Sequence, residues 1–272
     1  MPETRMSIIT LTTDFGSADH YVGAVKGAIL SVAPQAVVVD ITHDVPAHDV
    51  REAAWVLRNA ITSFPKQTVH VAVVDPGVGS ARRPILASTE NHYFIGPDNG
   101  IFSWVFESEA PRQVVEISAP HYMRSSVSST FHARDIFGPA AAHLARGAEP
   151  GNFGETIEDY AKLDLPRARL TPEGEVKAPV AHVDRFGNVV LNLTRAAMEQ
   201  LMARAGAAGM SVSAGAVRVE AIFATYAEAP AGAPFLLYNS SDFLEIAANQ
   251  GRATDILKVR AGDSVAITLR RP

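Results

Sequence analysis

The 272-residue sequence contains no cysteine. Disulfides, thiolate zinc sites, iron–sulfur clusters and cysteine nucleophiles are therefore excluded, and any resident metal would need imidazole and carboxylate ligands. Long apolar runs are missing as well, since no stretch reaches the roughly 20 residues that a bilayer-crossing helix requires. The first residues, MPETRMSIIT, carry no apolar signal-peptide segment. A cytoplasmic location with no membrane partner is expected from these absences. Positive charge is not in excess either: the formal net charge is −5, which offers no electrostatic footprint for nucleic acid.

Hydrophobic residues, by contrast, make up 47% of the chain, enough for one large or two modest cores. Up to about residue 165, apolar runs alternate in period. Ile8–Thr12 reads as a β-branched strand, 20–33 as a helix stopped by Pro34, and Ala36–Ile41 as a strand buried on both faces. Residues 47–62 read as a helix with Asp49 near its start, and Val69–Val74 as another buried strand. Ile85–Thr89 and Tyr93–Ile95 suggest a hairpin, and 135–147 a helix ending at Gly147. This order predicts an α/β domain with a mainly parallel sheet covered by helices, over residues 1–165. Residues 166–178 have linker composition, with Pro166, Pro172 and Gly174. Beyond them, over 179–272, short strands separated by turn residues predict a smaller antiparallel β-barrel or sandwich domain.

In an open parallel sheet, ligands bind beyond the carboxyl ends of the strands. Three acids fall near such ends: Asp14 in TTDFG, Asp44 in THDVP and Asp75 in VVDPGVG. Each alone suits a turn or helix cap, but three around one edge suggest a ligand site. Thr42–Asp49 (THDVPAHD) also admits a metal reading through imidazole and carboxylate, although no HExxH-type spacing appears. His132, Arg134 and Asp135 stand at the mouth of the 135–147 helix, where an exposed Asp135 would suit the helix dipole.

Taken as a set, TTDFG, VVDPGVGSxR, IGPDNG, TFHARDIF, DRFGNVVLN and NSSDFLEIA resemble the S-adenosyl-L-methionine (SAM) hydroxide adenosyltransferases, or SAM hydrolases. These are relatives of the enzymes that attack the same substrate with fluoride or chloride. The resemblance implies hydrolysis of SAM to adenosine and L-methionine, SAM being a substrate and no cofactor or metal being needed. It also implies a homotrimer, with each site between the N-terminal domain of one subunit and the C-terminal domain of its neighbour. By the same resemblance Asp75, Arg82 and His132 are the catalytic set, and Asp14 binds the ribose hydroxyls. Asp184 and Asn188 fall near the methionine and adenosyl parts, Ser240 and Ser241 near the methionine carboxylate. Glu245 and Ala248 would face adenine, and Tyr226 would offer it an aromatic face. Halogenating relatives carry a tyrosine at each of the places of Asp75 and His132. Asp242 stands where the family usually has glycine, which touches the geometry of the methionine end. Three other readings remain open at this point: a metal-dependent hydrolase using Asp14, His43, Asp44 and His48, a non-catalytic adenosine- or SAM-binding module, and a SAM-dependent halogenase.

Overall fold

The computed structural model describes residues 7–271; Met1–Met6, part of the N-terminal segment considered above, lie outside the described residues. The chain divides into two compact units, Met1–Leu165 and Pro166–Pro272.

In the first unit, β1 (Ile8–Thr13), β2 (Val37–Thr42), β3 (Val69–Val73), β4 (Pro84–Ser88), β5 (Tyr93–Pro97) and β6 (Gln113–Glu116) form one sheet. The spatial order is β2-β1-β3-β5-β4-β6. β2, β1, β3 and β5 run parallel, whereas β4 is antiparallel to both β5 and β6. Alternation along the strands divides the core in two. Ile9, Leu11, Val69, Val71 and Val73 face α1 (Tyr21–Val32) and α4 (Gly138–Ala145). Ala72, Val74, Ile85 and Phe94 face α2 (Val50–Ile61) and α3 (Ser103–Ser108). The start of α2 follows from its sequence, Asp49 accepting the N–H of Glu52 at 2.9 Å. Within the core, His70 is wholly buried on β3, with its Nδ1 2.8 Å from the Thr10 hydroxyl.

Two expectations are corrected here. The run Ala36–Ile41 is apolar enough for a central strand, yet β2 lies at the sheet edge with β1 as its one neighbour, and Val37 is 38% exposed. The segment 135–147 is not one regular helix. Ala133–Phe137 form a wide π-helical turn, closed by the Gly138 N–H on the Ala133 carbonyl, before α4 begins. Pro139 supplies the reason: with no N–H it cannot bond the carbonyl of Asp135, which instead accepts the N–H of Arg124 at 2.9 Å.

The second unit contains β7 (Arg169–Leu170), β8 (Glu175–Val183), β9 (Val189–Thr194), β10 (Gly209–Ala214), β11 (Val217–Val219), β12 (Pro234–Tyr238), β13 (Phe243–Ala248) and β14 (Ser264–Arg270). They form a barrel-like antiparallel sheet in the order β11-β10-β14-β8-β9-β13-β12, with β7 beside β8. The sheet encloses its own core of Val180, Leu191, Val212, Leu236, Ile246 and Ile267. α5 (Arg195–Ala205) and α6 (Ala253–Leu257) pack against it. α5 was not anticipated from the sequence, although its ends are encoded: Thr194 caps the N-terminus and Gly206 closes the C-terminus in a left-handed conformation.

Candidate active site

β1 and β3 are parallel, so both deliver their C-terminal residues to one edge of the sheet. Asp14 and Asp75 follow these ends and line a single cleft of about 630 Å³. Its other walls include Tyr21, Ser128, Phe131 and His132. The third acid does not join them. Asp44 is exposed, its own N–H bonded to the Thr42 hydroxyl. His43 is engaged elsewhere too, with Nδ1 2.8 Å from the Thr13 hydroxyl and Nε2 3.0 Å from Asp40. The carboxylate of Asp14 accepts the backbone N–H of His48 at 2.9 Å. The Thr42–Asp49 loop is thus organised by turns and single contacts, and among the described residues no three acid or histidine side chains gather as a metal site.

The segment after β3 is a tight loop built by its own sequence. The N–H of Val78 bonds to the Asp75 carbonyl, and Ser80 folds back on the Gly77 carbonyl through both its N–H and its hydroxyl. These turns return Arg82 to Asp75. Its Nε donates to both carboxylate oxygens, at 3.0 and 2.9 Å, and its Nη2 donates to Oδ2. The same Nη2 lies 2.7 Å from His132 Nδ1. Phe137 flanks the guanidinium, with its ring centroid 5.2 Å away. The side chains of Asp75 and Arg82 are only 5% and 10% exposed. The neighbouring arginine serves another purpose. Arg83 pairs with Asp98 and Asp159, and Asn99 bonds the Val74 carbonyl, so the IGPDNG stretch fixes the far side of the loop.

A guanidinium can only donate hydrogen bonds, so His132 Nδ1 must accept from Arg82, and the neutral ring carries its proton on Nε2. The electrostatics agree. Burial, and then the nearby Arg82 charge, push the imidazole below its ordinary range, against opposing contributions from Asp75, Asp135 and a hydrogen bond to the Ser128 backbone. The Asp75 loop and the His132 segment also touch directly. Gly79 has a φ of +77°, and a Cβ there would sit 2.4 Å from the Ser129 carbonyl oxygen. Only glycine tolerates both conditions.

The remaining expected residues lie in the second unit. Asp184 and Asn188 close the β8–β9 turn, with Asn188 N–H on Asp184 Oδ1 at 2.8 Å and Asn188 Nδ2 on Oδ2 at 2.9 Å. At the tip of this turn Phe186 is 73% exposed. Glu245 is buried on β13. It accepts the Tyr226 hydroxyl at 2.8 Å on one oxygen and Asn239 Nδ2 at 3.2 Å on the other. Burial raises the Glu245 carboxyl, with the bonds from Tyr226 and Asn239 opposing; burial and Glu245 together push the Tyr226 phenol up. Asn239 was not singled out from the sequence, yet its Oδ1 holds the N–H groups of Ser241 and Phe243. Ser240 and Ser241 are exposed and Ala248 is buried. Asp242 takes φ of +63°, the conformation a glycine would adopt, and Arg195 binds it through side chain and backbone.

Two family models match this sequence: the SAM hydroxide adenosyltransferase N-terminal domain over residues 9–154 and the C-terminal domain over 178–266. The chain belongs to this family. An (R)-S-adenosyl-L-methionine hydrolase from Salinispora arenicola is 39% identical over 262 residues, covering 96% of this chain and 97% of the relative. A fluorinase from Nocardia brasiliensis is more distant, 26% identical over 97% of each chain. Among solved structures, an uncharacterized conserved protein from Thermotoga maritima superposes with a TM-score of 0.88 at 34% identity, covering 96% of this chain and 99% of that one.

Proposed function

We propose that this SAM hydroxide adenosyltransferase cleaves S-adenosyl-L-methionine with water into adenosine and L-methionine, with Asp75, Arg82 and His132 directing the water at C5′. The observation that carries the proposal is the cluster itself, one carboxylate and one neutral imidazole on a cleft wall, locked together by a guanidinium.

The leaving group departs from a sulfonium as a neutral thioether, so it needs no acid. The difficulty lies in the nucleophile, because ionising free water at neutral pH spans about 9 pK units, or ~12 kcal/mol. Attack by intact water avoids that cost. The C5′–O bond forms as the C5′–S pair retreats to sulfur, and the incoming oxygen becomes a strongly acidic oxonium. A carboxylate can accept that proton and pass it to solvent. An ionised carboxylate has about four acceptor sites. Arg82 takes one on Oδ1 and two on Oδ2, which leaves Oδ1 free to orient a water. The lone pair of His132 Nδ1 is turned to Arg82, so the ring shapes the wall rather than collecting the proton. Arg82 is not among the cleft-lining residues, and it acts as a positioning residue. Orientation of this kind supplies a large share of a barrier reduction. A carboxylate here repels halide but accepts a hydrogen bond from water, which favours hydrolysis over halogen transfer.

The same reading extends to a cytoplasmic homotrimer of two-domain subunits needing no cofactor. Asp14, on the wall shared with Asp75, takes the ribose hydroxyls. Asp184, Asn188, Tyr226, Ser240, Ser241, Glu245 and Ala248 complete each site from the neighbouring subunit. Purified protein incubated with SAM in ¹⁸O-water and a chelator should release adenosine labelled at the 5′-oxygen, together with methionine. Intact SAM, loss of activity on chelation, or a 5′-halo-nucleoside in the presence of halide would each overturn this assignment.

A further inference from the structure

Asp135 is completely buried, although the sequence places it beside an apparent helix start. Burying a carboxylate is costly unless strong donors surround it. Here Arg134 supplies a two-pronged contact, Nε to Oδ1 at 2.7 Å and Nη2 to Oδ2 at 2.9 Å. The N–H of Ser128 donates to Oδ2 at 2.9 Å, and the Ser128 hydroxyl adds a further bond. Arg124 lies 3.9 Å from Oδ1. Burial disfavours the charged form, but Arg134 and Ser128 outweigh it and hold the carboxyl at about 2. The donors on Ser128 matter because of what else that residue does. Its hydroxyl accepts the N–H of Phe131, its backbone bonds the His132 ring, and the next carbonyl, of Ser129, is the surface on which Gly79 rests. Asp135 itself is absent from the cleft wall.

We propose that Asp135 is a positioning residue for the reaction: by clamping Ser128 it fixes the 128–132 strap, and with it the orientation and single tautomer of His132. The effect on turnover rests on the hydrolase function proposed above, whereas the effect on the imidazole does not. The π-helical turn at Ala133–Phe137 fits this role, since its widened spacing turns the Asp135 side chain back under the strap while His132 faces the cleft.

The test is Asp135→Asn in the full chain, read by ¹⁵N NMR of the histidine rings and by steady-state kinetics, with the His132 signals assigned from their loss in His132→Gln. The unsubstituted protein should show one tautomer at His132, protonated on Nε2. Asp135→Asn should give averaged tautomer signals and a kcat lower by about 10–100-fold, with KM within about threefold. An unchanged His132 spectrum would overturn the proposal whatever happens to turnover, and so would an altered spectrum with unchanged kcat. If the unsubstituted protein leaves SAM intact, the functional assignment fails and the NMR comparison still decides the role of Asp135. Should Asp135→Asn not fold, Ser128→Ala removes only the hydroxyl. It should shift the same ring signals and lower kcat by about 3–10-fold, and an unaltered ring spectrum in that variant would refute the clamp.

Discussion

Acid should destabilise the first unit through His70. The ring is wholly buried, its Nδ1 lies on the Thr10 hydroxyl, its Nε2 has no partner among the described residues, and Phe64, His92 and Phe94 surround it. Burial, with a smaller contribution from His92, drives its pKa from 6.5 to about 3. The native state therefore keeps the ring neutral while the unfolded chain binds a proton below pH 6.5. Stability is full above that pH and declines towards pH 3, because the unfolded state binds more protons in that window. Between pH 7 and pH 5 the loss from this one group is about 2 kcal/mol. The pair Thr10→Val with His70→Phe removes donor and acceptor together, which costs less than orphaning either, and keeps an aromatic ring between Phe64 and Phe94. Both tryptophans, Trp55 and Trp104, lie in this unit and touch each other, so their fluorescence in urea follows the unit that holds His70. The double variant should lose about 2 kcal/mol less than the unsubstituted protein on going from pH 7 to pH 5. Equal losses in the two proteins would refute the reasoning.

Asp75→Asn keeps the shape of the cleft wall but sets an amide against Arg82. Turnover should fall by at least about 100-fold, while SAM affinity by equilibrium dialysis stays within about threefold; equal losses in both would count against a role in directing water. Because burial and Arg82 lower the His132 pKa, the neutral ring persists below pH 6.5. Any fall in rate that follows protonation of this ring should then be centred below pH 6.5, and a break centred at or above pH 6.5 would contradict this. Gly79→Ala puts a Cβ 2.4 Å from the Ser129 oxygen at a φ of +77°. It should cost about 1–3 kcal/mol of stability and separate the Asp75 loop from the His132 strap, with kcat falling further than the melting temperature alone accounts for.

What the sequence disclosed follows from the range of the interactions involved. The alternation of strand and helix and the helix start near Asp49 are encoded within a few residues, and they read correctly. The burial of β2 did not, since apolar content says nothing about how many neighbours a strand acquires; that depends on the order β2-β1-β3, set by long-range pairing. The wide turn at 133–137 depends on Pro139 acting on a carbonyl four residues back, a local signal, but its outcome is settled by Arg124 arriving to take that carbonyl. Acidic side chains divide in the same manner. Asp14, Asp44 and Asp75 look alike as acids after strands, yet Asp44 is exposed, whereas Asp75 meets Arg82 across a loop short enough to read. Asp135 and Glu245 were harder to place. Each is a buried carboxylate whose donors include groups in irregular segments before it, Ser128 seven residues before Asp135, and Asn239 six and Tyr226 nineteen residues before Glu245, with no strand or helix period to show that they fold back on it. A charged residue in an apolar stretch, as in HARDIF or DFLEIA, is therefore a signal to seek its partners in the chain. Burial without partners would be prohibitive, so such a residue implies a polar network even where no period shows which segments supply its donors.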